Sequence, residues 1–235
     1  MKIEVYVICY NEELLLPYFL RHYREFCDRI IVFDNYSTDR SQEICRQDPR
    51  VEVIKYDSSD QVRDDIYLQI KNNCWKESLA DWVIIGDMDE FVYHPDIKRI
   101  LGESKATIIT PEWFNMYSEK FPITQGQIYE EVVLGIPGGP KTNIFRPSEI
   151  EEINYDPGCH IAHPRGNVIP DKSSGLKTLH MRNLSKEFVI SRNAVCSKRM
   201  SELNRSMGWG YHYDWPAQEV SRRFDEEILK TKKVI

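Results

Sequence analysis

The densest group of side chains that could do chemistry is Asp87-Met88-Asp89-Glu90. In an extended segment two aspartates separated by one residue point to the same side, because side chains alternate along a strand. Such a pair can share one hard cation. Mg2+ or Mn2+ bound through only one or two carboxylates keeps positions free for phosphate oxygens. An ion placed there stabilises the negative charge that a diphosphate leaving group develops as it departs. The plain alternative is a solvated acidic turn. Its surroundings argue against that, since the apolar run WVIIG precedes the acids and Phe91-Val92 follows them, pinning the carboxylates between core segments.

The elements that must position these acids can be read from periodicity. Residues 3–9 predict a strand, 14–26 a helix with Pro17 in its first turn, 29–33 a strand, 41–46 a short helix and 51–56 a strand. Val62, Ile66 and Ile70 predict a helix over 62–75, and 82–86 a fourth strand. Strands and helices alternating through short connections mean right-handed βαβ units and a mostly parallel central sheet with helices on both faces, a Rossmann-like α/β fold. Ligands of such sheets bind beyond the carboxyl ends of the strands. Three stretches fall there: Cys9-Tyr10-Asn11-Glu12, the run from Asp34 to Asp39, and the acidic group itself. Beyond Pro95 the pattern predicts a short helix at 97–101, a strand at 106–110 and a glycine- and proline-rich loop at 135–140 of the kind that serves as a lid. A helix over 185–207, with Ser185 as N-cap, and a last helix after Pro216 complete the chain. The expected organisation is one domain over 1–184, with a nucleotide-binding half at 1–101 and an acceptor and metal-completing half at 102–184. A C-terminal helical segment, 185–235, packs on it.

The 235 residues suffice for one substantial core. A net charge of −6 gives no global attraction to a polyanion, so nucleic acid is a minority partner. The basic residues of the last fifty positions are interleaved with acids, which predicts a solvated helix face. Six cysteines lie scattered without zinc-like spacing and read as reduced, mostly buried thiols. The start lacks the pattern of a secretion signal, and no run approaches the roughly 20 apolar residues of a membrane span. A soluble, cytoplasmic protein without a transmembrane segment is expected.

With these rims in place, the chain resembles the family-2-like glycosyltransferases of GT-A fold, particularly a short bacterial and viral group whose acidic motif reads D-x-D-E-F. The matching stretches are YNEELLLPYFLRHYREFCDRIIVFDNYSTD at 10–39 and WVIIGDMDEF at 82–91. Further echoes are KTNIFRP at 141–147, GCHIAHP at 158–164, LKTLHMRNLS at 176–185 and SELNRSMGWGYHY at 201–213. The resemblance implies a nucleotide-sugar donor, a UDP-sugar first, and a carbohydrate hydroxyl as acceptor or, as in phage relatives, a modified DNA base. It implies that Tyr10, Asn11 and Glu12 line the base and ribose pocket and that Asp34 bonds the base. Asn35 stands where relatives often carry a second aspartate. Arg63 becomes a contact of base or diphosphate, Asp87 reaches ribose or metal, and Asp89 binds the Mn2+ or Mg2+ directly. His180, with His160 behind it, would complete the metal shell. Neutral imidazole suits Mn2+ better than Mg2+. Lys141 and Arg146 could neutralise phosphate charge. Glu112 and Asp156 are the carboxylates placed by position to deprotonate an acceptor.

Other classes fit the residues less well. A haloacid-dehalogenase-type phosphatase would carry its D-x-D on the first strand, whereas three βα units precede this one. A nucleotidyltransferase would carry a glycine- and arginine-rich loop where YNEELLLP stands, and an inactive sugar-nucleotide-binding protein would have lost the acids.

Overall fold

A computed structural model describes residues 1–171 and 174–235. The chain opens with β1 (Ile3–Cys9), α1 (Leu16–Tyr23), β2 (Arg29–Asp34), α2 (Ser41–Arg46), β3 (Val51–Lys55), α3 (Asp64–Asn73) and β4 (Trp82–Asp87). It continues with β5 (Glu90–Tyr93), α4 (Ile97–Glu103), β6 (Ile108–Ile109), β7 (Glu112–Tyr117), β8 (Leu134–Pro137), β9 (Ile144–Phe145), β10 (Ile150–Glu152), β11 (Arg165–Gly166) and β12 (Pro170–Asp171). The rest is β13 (Lys177–Asn183), α5 (Lys186–Arg199), α6 (Glu202–Met207), α7 (Ala217–Ile228) and β14 (Lys232–Lys233).

The main sheet runs β12-β6-β9-β4-β1-β2-β3. β1 pairs in parallel with β2 on one side and β4 on the other, so the strand order reverses between β1 and β4. That reversal opens a crevice at the carboxyl ends of these two strands. Both faces are covered, as the continuously apolar strands require. On one face Val5, Val7, Ile30 and Ile84 pack with Phe19, Leu20 and Tyr23 of α1; on the other Tyr6, Ile31, Val83 and Ile85 pack with Trp75, Phe145 and Leu68 of α3.

A second sheet, β14-β8-β7-β13-β5, stands beside the first. Its strand β5 directly continues the acidic turn after β4, while β9 and β12 from later in the chain pair into the first sheet. The two sheets therefore exchange strands, and the turn between β4 and β5 is where the chain crosses from one to the other.

Several boundaries differ from the sequence reading. The helix expected over 185–207 is two helices, because Met200 and Ser201 turn extended and Ser201 caps α6 by accepting from the Asn204 amide. Ser185 caps α5 through the Phe188 amide, as its type predicts. The strand expected at 106–110 shortens to Ile108–Ile109, and the C-terminal segment ends not in a helix but in β14, paired with β8.

His22 sits on α1 among Tyr23, Phe26, Phe91 and Tyr129, with its Nε2 2.9 Å from the Val92 carbonyl. Burial pulls its pKa down from 6.5 to about 4 in spite of that hydrogen bond. The unfolded chain therefore takes up the proton first, and the contribution of neutral His22 is complete above pH 6.5 and lost as pH falls towards 4. That share amounts to about 3 kcal/mol. In His22→Gln, which keeps a donor for Val92 but does not titrate, urea unfolding between pH 6.5 and 4 should show a correspondingly shallower loss of stability than the native chain.

Candidate active site

The crevice is built from two loops sewn together. After β1 the backbone turns at Asn11, which has φ 52°, a conformation that asparagine tolerates better than most residues. The Asn11 side-chain oxygen accepts from the amides of Thr38 at 2.7 Å and Asp39 at 3.3 Å. In return the Ser37 hydroxyl accepts from the Asn11 amide at 2.9 Å and the Ser41 hydroxyl from the Glu12 amide at 2.8 Å. Asp34 spends its carboxylate on the Ser37 amide, at 3.2 and 3.3 Å, and is 1% exposed. Asn35 is likewise committed, donating to the Tyr56 carbonyl and accepting from Ser58 and Arg199.

The acidic group is not the extended segment its spacing suggests. Asp87 ends β4, Met88 and Asp89 form a turn, and Glu90 begins β5. Buried Met88 and Phe91 anchor that turn. The Tyr23 hydroxyl donates to the Glu90 carbonyl at 2.8 Å and accepts from the Val92 amide at 3.2 Å, so α1 fixes where β5 starts. Because the chain turns, the carboxylates engage different partners. Asp87 meets Lys71 at 2.5 Å and Lys141 at 2.9 Å, and Lys141 also holds Glu90 at 2.5 Å. Asp89 instead lies 3.3 Å from Arg192 and 3.4 Å from Nε2 of His180.

His180 stands on β13 in register with Glu90 on one side and Asn115 on the other. Its Nδ1 lies 2.9 Å from the Asn115 side-chain oxygen, which also accepts from Trp113. With Nδ1 turned to that oxygen, Nε2 is the ring nitrogen that faces Asp89. Ligand atoms of Asp89, Glu90 and His180 lie within 4.8 Å of one another. Two oxygens and a nitrogen at that spacing make a donor set suited to a divalent cation.

Charge follows the same division. Burial raises the Asp87 carboxyl pKa, but Lys141 and Lys71 outweigh it and hold the group well below the usual range. For Glu90 burial dominates and the pKa rises, Lys141 offsetting only part. Asp89 is also pushed up by burial, yet Arg192 and His180 more than reverse this and keep it ionised. Glu12, 2.6 Å from Arg192, is pushed up to about 7 by burial despite that partner.

Above the turn opens a cavity of about 530 Å3. Tyr10, Asn11 and Glu12 form one side, Asp87 to Glu90 the floor, and His160, His180 and Arg182 another side. α3 contributes Asp64, Tyr67 and Lys71, one stripe at helical spacing; α5 contributes Phe188, Arg192, Val195 and Arg199, another. Lys71 was passed over in the sequence, and Arg192 and Arg199 read there as part of a solvated, mixed-charge helix face. Their signal was that each shares a stripe with apolar or aromatic neighbours.

The remaining expected residues fall elsewhere. Arg63 is engaged by both oxygens of Asp65, at 2.7 and 2.5 Å, and is not on the cavity wall. It is Arg199, on α5, whose guanidinium covers the Tyr10 ring at 3.1 Å. Asp34 and Asn35 sit behind the wall as loop anchors. Lys141 is 1% exposed, so it neutralises the protein's own carboxylates. Arg146 donates to the carbonyls of Ser104 and Ala106. Glu112, first in β7, points out to solvent while its neighbour Trp113 turns inward against His160 and His180. Asp156 pairs with His163 at 3.1 Å, outside the cavity. His160 lines the cavity but is not one of the three clustered ligands.

Residues 4–169 match the sequence profile of glycosyl transferase family 2. The chain belongs to that family. It is accordingly a glycosyltransferase that uses a nucleotide-sugar. No curated protein matches it. Among solved structures, S. aureus TarS is similar with 13% identity and a TM-score of 0.45, over 98% of this chain and 72% of that one. Glucosyl-3-phosphoglycerate synthase from Mycobacterium tuberculosis, in complex with Mn2+, UDP and phosphoglyceric acid, shows 16% identity and a TM-score of 0.34 over 48% of this chain and 43% of that one. The bifunctional IspDF from Campylobacter jejuni shows 11% identity and a TM-score of 0.36 over 63% of this chain and 42% of that one. No helix among the described residues is long and apolar enough to cross a membrane.

The buried ion cluster of this glycosyltransferase has a measurable consequence. Lys141→Met leaves Asp87 and Glu90 with one cation between them, and urea unfolding should show a loss of about 3–5 kcal/mol, the range for removing one partner of a buried pair. Adding Glu90→Gln should recover part of that loss, since the remaining charges then balance.

Proposed function

We propose that the chain transfers the sugar of a nucleotide-diphospho-sugar, a UDP-sugar first, to a carbohydrate hydroxyl, with Mn2+ or Mg2+ held by Asp89, Glu90 and His180. The observation that carries this reading is the cluster of those three ligand atoms within 4.8 Å on the floor of a cavity walled by Tyr10, Asn11 and Glu12. The bound ion supplies countercharge to the diphosphate. The imidazole nitrogen in the set favours Mn2+ over Mg2+.

The protein's own groups do the rest. Tyr10 offers a ring face for the base, capped by Arg199, which swings aside or stacks on the far side when the base enters. Arg192 is paired with Glu12 and Asp89, and can turn a donor towards the diphosphate once Asp89 is otherwise engaged. Asp87, fixed by two lysines, faces the ribose side of the floor as an acceptor. Glu112 and Asp156, the carboxylates first considered for deprotonating the acceptor, lie off the cavity wall, so neither is assigned that role. Segment 185–235 acts with the preceding domain, because α5 forms one wall of the donor cavity.

A thermal-shift panel of nucleotide-sugars with and without Mn2+ tests this, since a ligand of the native state alone raises the melting temperature. One donor should stabilise the chain, more so with Mn2+, and Asp89→Ala should remove the Mn2+-dependent part. An Asp89→Ala chain that responds like the native one would move the metal elsewhere.

A further inference from the structure

We propose that a second, smaller cavity beside the donor cavity binds the acceptor, and that the acceptor is a sugar unit bearing a negative charge. The inference rests on the nucleotide-sugar transferase reading above. The cavity, about 270 Å3, lies between β13, α5 and α7, at the small end of the range for ligand sites and suited to one monosaccharide-sized group. Arg182 and His212 line both cavities, so the two spaces share a partition. Asn115 belongs to the wall of the smaller cavity and bonds the His180 imidazole, whose other nitrogen faces Asp89. A group held there lies against residues that also border the larger cavity.

The lining has the chemistry of a carbohydrate site with an anion subsite. Asn183 brings an amide donor and acceptor and Asn115 an amide donor, groups that match hydroxyls, while Asn193 is committed to Arg182 and the His212 carbonyl. Trp215 supplies an amphipathic aromatic surface, with the Arg223 guanidinium 4.0 Å from its ring centre. Arg182 is the distinctive group. Its hydrogen-bond partners are Nε2 of His212 at 2.8 Å and the Asn193 side-chain oxygen at 2.9 Å, and among the described residues it forms no ion pair. His212 cannot share the charge, since burial and the neighbouring guanidinium hold it neutral. Facing the same space are Arg223, already paired with Glu219, and Glu227, whose carboxylate accepts from the Tyr117 hydroxyl. Two guanidiniums thus face one carboxylate. A partly buried arginine without a counter-ion is satisfied by a carboxylate or phosphate that fits its fork. A uronate and a sugar phosphate share this chemistry. All the residues carrying the charge lie beyond 169, outside the part matched to the family, so the preference belongs to this chain.

The test uses the full chain with UDP and Mn2+ present and ligand-observed NMR of four probes: D-glucuronate, glucose phosphorylated on its primary hydroxyl, methyl glucoside and inorganic phosphate. At least one charged sugar should bind about tenfold or more tightly than methyl glucoside, and more tightly than inorganic phosphate. Comparison of the two charged sugars distinguishes carboxylate from phosphate. Arg182→Met should abolish the preference and Arg182→Lys should keep most of it; the lysine variant also serves if the methionine variant fails to fold. The proposal is overturned if methyl glucoside binds as well as the charged sugars, if neither charged sugar binds, or if a folded Arg182→Met chain keeps the preference. If nucleotide-sugars and UDP do not bind the native chain either, the donor reading has failed; if they bind and the charged sugars show no preference, only this inference has.

Discussion

Lys71, Lys141 and Glu90 are almost fully buried and meet Asp87, whose carboxylate opens on the cavity, and each comes from a different part of the chain. α3 brings one lysine, the segment before β9 the other, β4 the aspartate and β5 the glutamate. Ions in such a place are tolerable only together, because desolvation penalises each one that lacks a partner. The cluster therefore acts as a clamp. It fixes the end of β4 against α3 and against β9, at the point where the chain passes from the first sheet to the second. The exposed surface of the acidic turn inherits its position from this buried balance.

Beside that quartet is a second group in which carboxylates outnumber cations. Glu12 and Asp89 share one cation, Arg192, with the imidazole of His180 adjoining. The contrast separates structural from available carboxylates. Asp87 is committed to lysines, whereas Asp89 is held by an arginine on a helix that forms the cavity wall, and by a histidine whose Nε2 faces it. The ionised Asp89 and that imidazole are thus fixed in place before any ligand arrives.

The C-terminal helices are part of the same construction. α5 lies across the crevice with Phe188, Arg192, Val195 and Arg199 on its inner stripe, while Val189 on its other side packs with Val220 and Phe224 of α7. One helix thus walls the larger cavity and, with α7, the smaller cavity beside it. Its cap by Ser185 and the break at Met200 and Ser201 set its length, so that Arg199 ends over Tyr10.

Local sequence determined the alternation of strand and helix, the parallel sheet, and the three loops that meet at its rim, because apolar periodicity and turn residues act over a few positions. It also singled out Tyr10 to Glu12, Asp89 and His180, whose types are unusual beside apolar strands. What it could not determine was which carboxylate a lysine would occupy. The D-x-D spacing predicted two aspartates on one side of an extended segment, but a turn at Met88-Asp89 gave them different partners, and the clustered ligand atoms come from Asp89, Glu90 and His180. Asp34, Asn35 and Arg63 carried suitable chemistry yet were spent on neighbouring backbone or on Asp65, while Lys71, Arg192 and Arg199 looked like ordinary helix charges until α3 and α5 turned them inward. Only tertiary packing decided these points, because the partner that commits or frees a charged side chain comes from a distant segment, and burial then sets what that pairing does.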